Sequence, residues 1–367
     1  MDKREAEIIE RINQDLRLQK NDAKKDELKD LDQKWDSLVS SEPCKFINSD
    51  YEIKPDVLRN FRKLSIFISD APAFNTHWLH VARYIYGGRR GSIRLLKECL
   101  EILQSDAGCM FLEKYPSNTV GNPYIFNYQG YRYTYRWCKH VRFLSVLSGI
   151  LKSQLQSPFT TLDIGSSYGI FSYLLKKEFS RSNCVLLDFP EQLALAYYFL
   201  GISFPSARIA GYKEIAMAGT IDRSFLGKYD FVLIPWFFYR KITSQSIDLI
   251  TNFASLGEMK RKWFNFYMKS EPFLSAKYFF TVNRFQSAPT YDTDLTVLDY
   301  PLADFKKLHF AISPIFSHTY TREYLFFYKK FIFNSQYFEF IGERLEEGTQ
   351  ADLLKTKNYY SKLYTTP

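Results

Sequence analysis

One stretch near the middle of the chain places an acidic side chain beside closely spaced glycines. Residues 159–164 form an apolar run that includes Asp163, and Gly165 and Gly169 follow with Ser166 and Ser167 between them. The run predicts a buried strand, and the apolar spacing after the second glycine predicts a helix. Glycine permits a sharp turn, and the two small serines allow the backbone to approach a ligand closely. We therefore predict a strand, a ligand-binding loop and a helix.

A second acid ends the next predicted strand. The run 184–187 is apolar and is followed by Asp188. In an open α/β sheet, ligands lie at the carboxyl ends of the strands, where an acid can accept hydrogen bonds from both hydroxyls of a ribose. Asp163, two residues before the first glycine, suits a cationic amino-acid group better than a pyrophosphate. The two acids and the loop predict a site for S-adenosylmethionine (SAM), and hence a methyltransferase.

The main alternative at this loop is a dinucleotide site. The NAD fingerprint has its third glycine five positions after the first, and this chain has Ile170 there. Its glycines are four positions apart, which favours the SAM site.

Composition and charge set limits on the class of protein. The chain has 367 residues, enough for two domains, and a net charge of +9. Its cysteines lack C-x-x-C spacing, so they support neither a disulfide framework nor a zinc site. No apolar run is long enough for a membrane span. Without a recognisable signal peptide, we expect a cytoplasmic protein. The basic balance is compatible with an anionic partner but does not identify one.

The pattern along the chain divides it into three parts. Residues 1–150 are predicted to form a helical N-terminal region, in which residues 1–40 are a charged helix or short coiled coil. The segment 1–38 could mediate homo-oligomerisation or fold against the body as an amphipathic helix. Residues 151–335 alternate strands and helices, which predicts the methyltransferase domain. Residues 336–367 are predicted to be a C-terminal helical extension.

Several motifs together resemble a known family. They are Asp163–Gly169, Leu187–Glu191, Asn252–Met259, Val282–Arg284 and Gly121–Pro123. The chain is similar over roughly residues 118–330 to the sugar O-methyltransferases, a Rossmann-like, SAM-dependent branch associated with bacterial surface polysaccharides. The pattern Asn-x-x-Ser-x-x-Glu-Met is the most distinctive. The resemblance implies an α/β fold with a mostly parallel sheet of seven strands and a C-terminal antiparallel hairpin, preceded by the α-helical region.

The resemblance also implies SAM as methyl donor and a sugar or surface-glycan precursor, nucleotide- or lipid-linked, as acceptor. A sugar hydroxyl needs a base, for which Glu258 is the first candidate and His140 the alternative. The residues predicted to bind the cofactor are Asp163, Gly165, Ser166, Ser167, Gly169, Asp188, Phe189, Trp236 and Asn252. Those predicted to bind the substrate are Ser255, Asn283, Arg284 and Arg136.

Each of these assignments has a plainer alternative. Ser255 and Glu258 have the spacing of a capping box, in which both side chains only satisfy a helix start. Arg132, Arg136, Lys139 and Arg142 share a helical face that is either a diphosphate clamp or a solvated basic surface. Trp236 and Phe237 either flank the adenine or belong to the core. Asp292 and Asp294 form a D-x-D, which can hold a divalent metal but is too common by chance, so no metal ligand is assigned.

Two other functions remain as alternatives. Nucleic-acid methylation is not favoured, because the chain lacks the Asp/Asn-Pro-Pro-aromatic tetrapeptide of amino-directed enzymes, although RNA ribose or base-carbon methylation stays open. The second alternative is an inactive methyltransferase fold that serves as a scaffold, since Ser167 stands where the usual pattern has glycine.

Overall fold

The computed structural model describes residues 2–22, 47–48, 50–62, 89–105, 108–155, 158–287, 293–320 and 333–346. The N-terminal region contains a short hairpin as well as helices. Its elements are α1 (Lys3–Asp22), α2 (Pro55–Asn60), α3 (Arg89–Ser105), α4 (Cys109–Lys114), β1 (Phe126–Tyr128), β2 (Tyr131–Tyr133) and α5 (Tyr135–Leu151). The predicted helical region is thus present, and the β1–β2 hairpin was not predicted.

The α1 helix packs against the body of the protein. Its apolar side chains Ile8, Ile9, Ile12 and Leu16 are buried. This is the amphipathic packing that the spacing of these residues allows. The face that a coiled coil would need is therefore already covered within the chain. Homo-oligomerisation through residues 1–38 stays a prediction, and residues 23–46 lie outside the described ranges.

From residue 160 onward the chain alternates strands with helices. The strands are β3 (Thr160–Ile164), β4 (Asn183–Asp188), β5 (Ile209–Ala210), β6 (Phe231–Pro235), β7 (Leu249–Phe253), β8 (Tyr278–Arg284), β9 (Phe305–Tyr320) and β10 (Phe333–Arg344). The helices are α6 (Ile170–Glu178), α7 (Pro190–Ser203), α8 (Tyr212–Met217), α9 (Arg223–Leu226), α10 (Arg261–Met268) and α11 (Glu271–Ser275). Short 3-10 helices span Trp236–Lys241, Leu256–Glu258, Val297–Asp299 and Leu302–Asp304.

The strands form one eight-stranded sheet in the order β5-β6-β4-β3-β7-β8-β10-β9. Strands β3 to β8 are parallel to their neighbours, and β10 pairs antiparallel with both β8 and β9. The chain enters at β3, passes through β4 to the edge strand β5, comes back to β6 and then crosses to the other side of β3 as β7. Because the winding direction reverses there, a crevice opens at the carboxyl ends of β3 and β7, where ligands bind in such sheets.

Alternate residues of the sheet supply two apolar cores, one on each face. In β4, for example, Leu186 packs in one core and Val185 and Leu187 pack in the other. Both faces are covered, so the central strands are continuous apolar runs, as the sequence indicated. The polar residues that end these strands consequently lie at the edge of the sheet. Within the described residues, no helix combines the length and the hydropathy that a membrane crossing requires.

The predicted fold class is confirmed: a mainly parallel α/β sheet with a terminal antiparallel hairpin and a helical N-terminal region. The sheet has eight strands, however, and not the predicted seven. One boundary was wrong. Residues 336–344, assigned to a C-terminal helical extension, belong to β10, in which Tyr337 to Ile341 are all buried between β8 and β9. A strand buried on both faces lacks the alternating pattern, so sequence alone does not distinguish it from a buried helix. The apolar pattern of residues 322–328 predicts the second strand of the C-terminal hairpin, but these residues and residues 347–367 fall outside the described ranges.

Candidate active site at the carboxyl edge of the sheet

A cavity of about 310 Å³ opens at the switch point between β3 and β7. This volume falls at the lower end of the range for small-molecule sites. Eight of the residues predicted for the site line it: Arg136, Gly165, Ser167, Asp188, Phe189, Trp236, Ser255 and Glu258. The cavity thus brings together residues that are as much as 122 positions apart in the sequence.

The glycine loop passes close to the segment that follows β7. Gly165 has a φ of +73°, and a Cβ built on it would lie 2.2 Å from Oγ of Ser255. Only glycine fits there, because a side chain would both strain the backbone and collide with Ser255. Ser167 also has a positive φ, of +52°. That conformation explains why glycine is usual at this position, and serine adopts it here at a modest energetic cost.

Asp188 ends β4 with its carboxyl group held by the backbone. Oδ2 accepts a hydrogen bond of 2.6 Å from the Ser167 N–H, and Oδ1 accepts one of 2.7 Å from the Phe189 N–H. Burial raises the pKa of this carboxyl to about 6, against the opposing effect of these two bonds and of the Arg136 charge. Each oxygen keeps a second acceptor position. A fixed carboxylate with two unused acceptor positions can receive a ribose diol.

Asp163 lies in the sheet behind the cavity. Its carboxyl group is 4% exposed, and its Oδ1 accepts a hydrogen bond of 2.8 Å from Oγ1 of Thr251. Burial raises its pKa to about 7, and the nearby Asp188 charge adds to this effect. Asp163 is not part of the cavity wall, so the structure does not place it against the amino-acid end of a cofactor.

Two asparagines predicted to bind ligand are instead occupied by the protein. Asn252 donates a hydrogen bond of 2.6 Å to the Ile164 carbonyl and accepts one of 2.7 Å from Asn283. Asn283 in turn accepts a bond of 3.2 Å from the Gly257 N–H. Both amides are fully buried and lie outside the cavity wall. They connect β3, β7 and β8, and thereby fix the loop that presents Ser255 and Glu258 to the cavity.

Glu258 does not take part in a capping box. The Ser255 side chain makes no cap bond to the 3-10 helix that follows and donates to the Ile164 carbonyl instead. The Glu258 carboxylate accepts a hydrogen bond of 2.8 Å from Nη1 of Arg284, a side chain that is only 3% exposed. Glu258 lines the cavity, whereas Arg284 does not. The plainer interpretation of Glu258 is therefore wrong.

The basic face of α5 is largely buried and not a solvated surface. Arg136 lines the cavity, whereas Lys139 and Arg142 are buried in the protein, where Arg142 pairs with Glu339. Burial, reinforced by the Arg136 charge, lowers the pKa of Lys139 to about 7. Arg132 is exposed on β2.

His140 is neutral and lies beside the cavity. Its Nδ1 is 2.7 Å from the Arg136 carbonyl, and its ring packs edge-on against Phe143 and Phe253. Burial, with a smaller effect of the Arg136 charge, places its pKa well below the usual range. His140 is not in the cavity wall, so its role as an alternative base stays a prediction.

The apolar part of the wall contains aromatic residues that the sequence did not single out. Trp236 was predicted to flank the adenine, and its ring meets that of Trp263 edge-to-face at 5.3 Å. Phe253 and Tyr267 complete this wall. Phe237 is buried and packs against Phe238, so it belongs to the core. Trp263 lies in α10, four residues after the Asn252–Met259 motif, and nothing in its local sequence indicated that it faces the cavity.

Among the residues that the structure describes, no group of three or more His, Cys, Asp or Glu side chains is arranged to hold a metal ion. Asp294 and Asp299 pair with Arg261 on the surface, at 2.9 and 2.6 Å. Asp292, the other acid of the D-x-D pattern, falls outside the described ranges.

No family model matches the sequence, and neither does any curated protein. Solved structures do share its fold in part. A candidate RNA methyltransferase from Pyrococcus horikoshii is 11% identical, with a TM-score of 0.36 over 59% of this chain and 88% of that chain. TehB from Haemophilus influenzae is 10% identical, with a TM-score of 0.35 over 54% and 62%. The bifunctional kinase-methyltransferase WbdD is 12% identical, with a TM-score of 0.34 over 55% and 38%. These are likenesses of fold, and the function of this chain is inferred below from its own residues.

Proposed function

We propose that this chain is a SAM-dependent O-methyltransferase that methylates a hydroxyl of a sugar or surface-glycan precursor. One observation supports SAM as the cofactor. The Asp188 carboxylate lies at the switch point beside the glycine loop, and the Ser167 and Phe189 N–H groups fix its two oxygens. This geometry suits the two hydroxyls of a ribose, because both can donate to one oriented carboxylate.

The surrounding residues fit the rest of such a cofactor. Trp236 and Trp263 offer apolar ring surface to an adenine. Gly165 keeps the loop open where any side chain would meet Ser255. Ser166, also predicted to bind the cofactor, is buried and is not in the cavity wall. When bound, SAM would supply a methyl group activated by a positively charged sulfur.

Glu258 supports transfer to a hydroxyl. A sugar hydroxyl is a poor nucleophile until its proton is accepted by a base, and Glu258 places a carboxylate oxygen in the cavity wall. The hydrogen bond of 2.8 Å from the Arg284 guanidinium fixes the orientation of that carboxylate. Positioning the acceptor oxygen contributes as much as removing its proton, because methyl transfer is an in-line displacement. We assign Glu258 as the group that receives the hydroxyl proton.

The sugar acceptor rests on the resemblance of the Asn252–Met259 motif to the sugar O-methyltransferases. Asn252, Ser255 and Glu258 of that motif form one connected unit between the glycine loop and the cavity. The Asn252–Met259 motif thus holds the Glu258 carboxylate in the cavity wall. This arrangement suits a neutral hydroxyl acceptor better than an exocyclic amine held by an Asp/Asn-Pro-Pro-aromatic motif.

The test begins with the cofactor. Calorimetry should detect SAM binding by the full-length chain, and Asp188→Ala should weaken it at least tenfold, while Asp222→Ala at an exposed helix cap serves as the control. Labelled SAM is then incubated with glycan, lipid-linked sugar and RNA fractions of the native organism. Label in a base-stable sugar ether supports the proposal. Label only in RNA would identify RNA, and not a sugar, as the acceptor. Absence of SAM binding at millimolar concentration would favour the inactive scaffold.

A further inference from the structure

The Arg136 guanidinium lies on the cavity wall and forms no ion pair with any residue that the structure describes. The residue lies in the first turn of α5 and lines the cavity. Its guanidinium contacts the Tyr168 ring at 5.6 Å, and across the described ranges it forms no hydrogen bond and no ion pair. A partly buried cation without a partner costs free energy, which an anionic group of a ligand would offset.

The neighbours of Arg136 do not neutralise it. Lys139 and His140 follow it on the same helix, and the Arg136 charge is among the reasons why their pKa values are lowered. Glu258 is paired with Arg284. Asp188 is near enough for Arg136 to lower its pKa, but its two oxygens are held by backbone N–H groups. The cavity therefore keeps positive charge at this point.

The position of the guanidinium identifies which part of a ligand it meets. Tyr168, on which it rests, belongs to the glycine loop, so Arg136 lies on the cofactor side of the cavity. Asp163, expected from the sequence to meet the amino-acid end, is bound by Thr251 behind the wall. Asp163 would in any case have suited the ammonium group, whereas the carboxylate of the same end needs a cation, which Arg136 supplies.

We propose that Arg136 binds the α-carboxylate of SAM. This inference rests on the proposed function and deepens it, because it moves Arg136 from the acceptor to the cofactor. A guanidinium can hold a carboxylate through two parallel N–H bonds. The ribose diol at Asp188 and the carboxylate at Arg136 then fix the two ends of the ligand, with the reacting sulfur between them.

The experiment compares SAM with decarboxylated SAM, which lacks only the proposed anchor point. Calorimetry gives the Kd of both ligands for the wild type, Arg136→Met and Arg136→Lys. The control is Arg132→Met, which removes an exposed arginine outside the cavity. We expect Arg136→Met to weaken SAM binding roughly 10- to 100-fold and to leave binding of decarboxylated SAM unchanged, while Arg136→Lys gives an intermediate loss. Arg132→Met should match the wild type for both ligands.

The outcomes separate this inference from the proposed function. If the wild type binds SAM and Arg136→Met binds it equally well, the carboxylate assignment is wrong. An increase in acceptor KM in that variant would then assign Arg136 to an anionic acceptor. A parallel loss for SAM and decarboxylated SAM would also overturn the assignment, since it would reflect general disruption of the site. If the wild type binds neither ligand, the proposed function itself fails.

Discussion

Arg284 and Glu258 form a buried ion pair, 2.8 Å from Nη1 to Oε1, in which one partner faces the cavity and the other does not. The Arg284 guanidinium lies 5.1 Å from the centre of the Tyr337 ring. Tyr337 is also its direct partner in the β8–β10 pairing. Arg284 was predicted to bind substrate, but its place behind Glu258 makes it a positioning residue. The C-terminal hairpin, through Tyr337, thus supports the proposed base.

Glu258→Gln should abolish most of the turnover while leaving cofactor binding intact. The amide keeps the shape of the side chain but cannot accept the hydroxyl proton. We expect kcat to fall by roughly 10²- to 10⁴-fold, with the Kd of SAM within twofold of the wild type. Steady-state kinetics with the identified acceptor and calorimetry measure the two quantities. Glu271→Gln, at an exposed position outside the cavity, is the matched control. Undiminished turnover in Glu258→Gln would show that Glu258 is not the base.

Arg284→Met should destabilise the protein, because it leaves the half-buried Glu258 carboxylate without its partner. Breaking a buried pair in this way costs about 3–5 kcal/mol, and the 18% exposure of Glu258 places the expected value near the lower end. Adding Glu258→Gln to Arg284→Met should recover part of the loss. Urea unfolding of the two single variants and the double variant measures the coupling. Strictly additive effects would mean that the ion pair does not contribute to stability.

Binding of SAM should weaken as the pH falls through about 6. Burial raises the pKa of Asp188 to about 6, so its carboxylate is mostly ionised at pH 7 and mostly protonated at pH 5. Because the ionised form is the better acceptor for the ribose hydroxyls, we expect the Kd to rise roughly tenfold over this interval. A free α-carboxyl group titrates near pH 3.5 and an α-amino group near pH 8, so the ligand itself changes little. Asp188→Asn should bind weakly and with no such pH dependence.

Asp163→Asn should stabilise the protein above neutral pH. The pKa of Asp163 rises from an ordinary 3.8 to about 7 on folding, so the folded state binds more protons than the unfolded state between these values. Its contribution to the free energy of unfolding therefore decreases as the pH rises from about 4 to 7. Above pH 7 the destabilisation reaches its full value. We expect the variant to be more stable by about 1–4 kcal/mol at pH 8 and similar to the wild type at pH 4. Equal pH slopes in urea unfolding would contradict this assignment.

Gly165→Ala should disrupt the cofactor loop. The added Cβ would meet Ser255, and the positive φ disfavours any side chain. We expect a loss of about 1–3 kcal/mol in the free energy of unfolding and a large loss of SAM affinity. Gly149→Ala is the control, since its Cβ meets nothing within 4 Å and lies in α5. That substitution should stabilise the helix by about 0.5–1 kcal/mol. Wild-type SAM affinity in Gly165→Ala would show that the loop tolerates displacement.

The motifs could be located from the sequence, but which of their residues face the ligand and which only hold the structure could not be predicted. Asp163 and Asp188 both end apolar runs and looked equivalent as ligand contacts. In the folded chain, Asp188 lines the cavity and Asp163 is bound by Thr251, because Asp163 pairs with Leu186 inside the sheet, two residues before the end of β4 at Asp188. Asn252 and Asn283 looked like ligand-binding amides, yet they satisfy each other across β7 and β8. A hydrogen-bond partner on a neighbouring strand leaves no local signal in the sequence.

By itself the sequence determined the strand–loop–helix unit at 160–178, the acid at the end of β4 and the parallel sheet, because glycine spacing and apolar runs are local consequences of backbone geometry and burial. Only the tertiary structure decided which polar residues face the cavity. It paired Arg284 with Glu258, left Arg136 without a counter-ion among the described residues, and brought Trp263 opposite Trp236. These relationships depend on strand order and helix packing, which bring together residues that are far apart in the chain. What a charged side chain does depends on the neighbours that this packing places beside it.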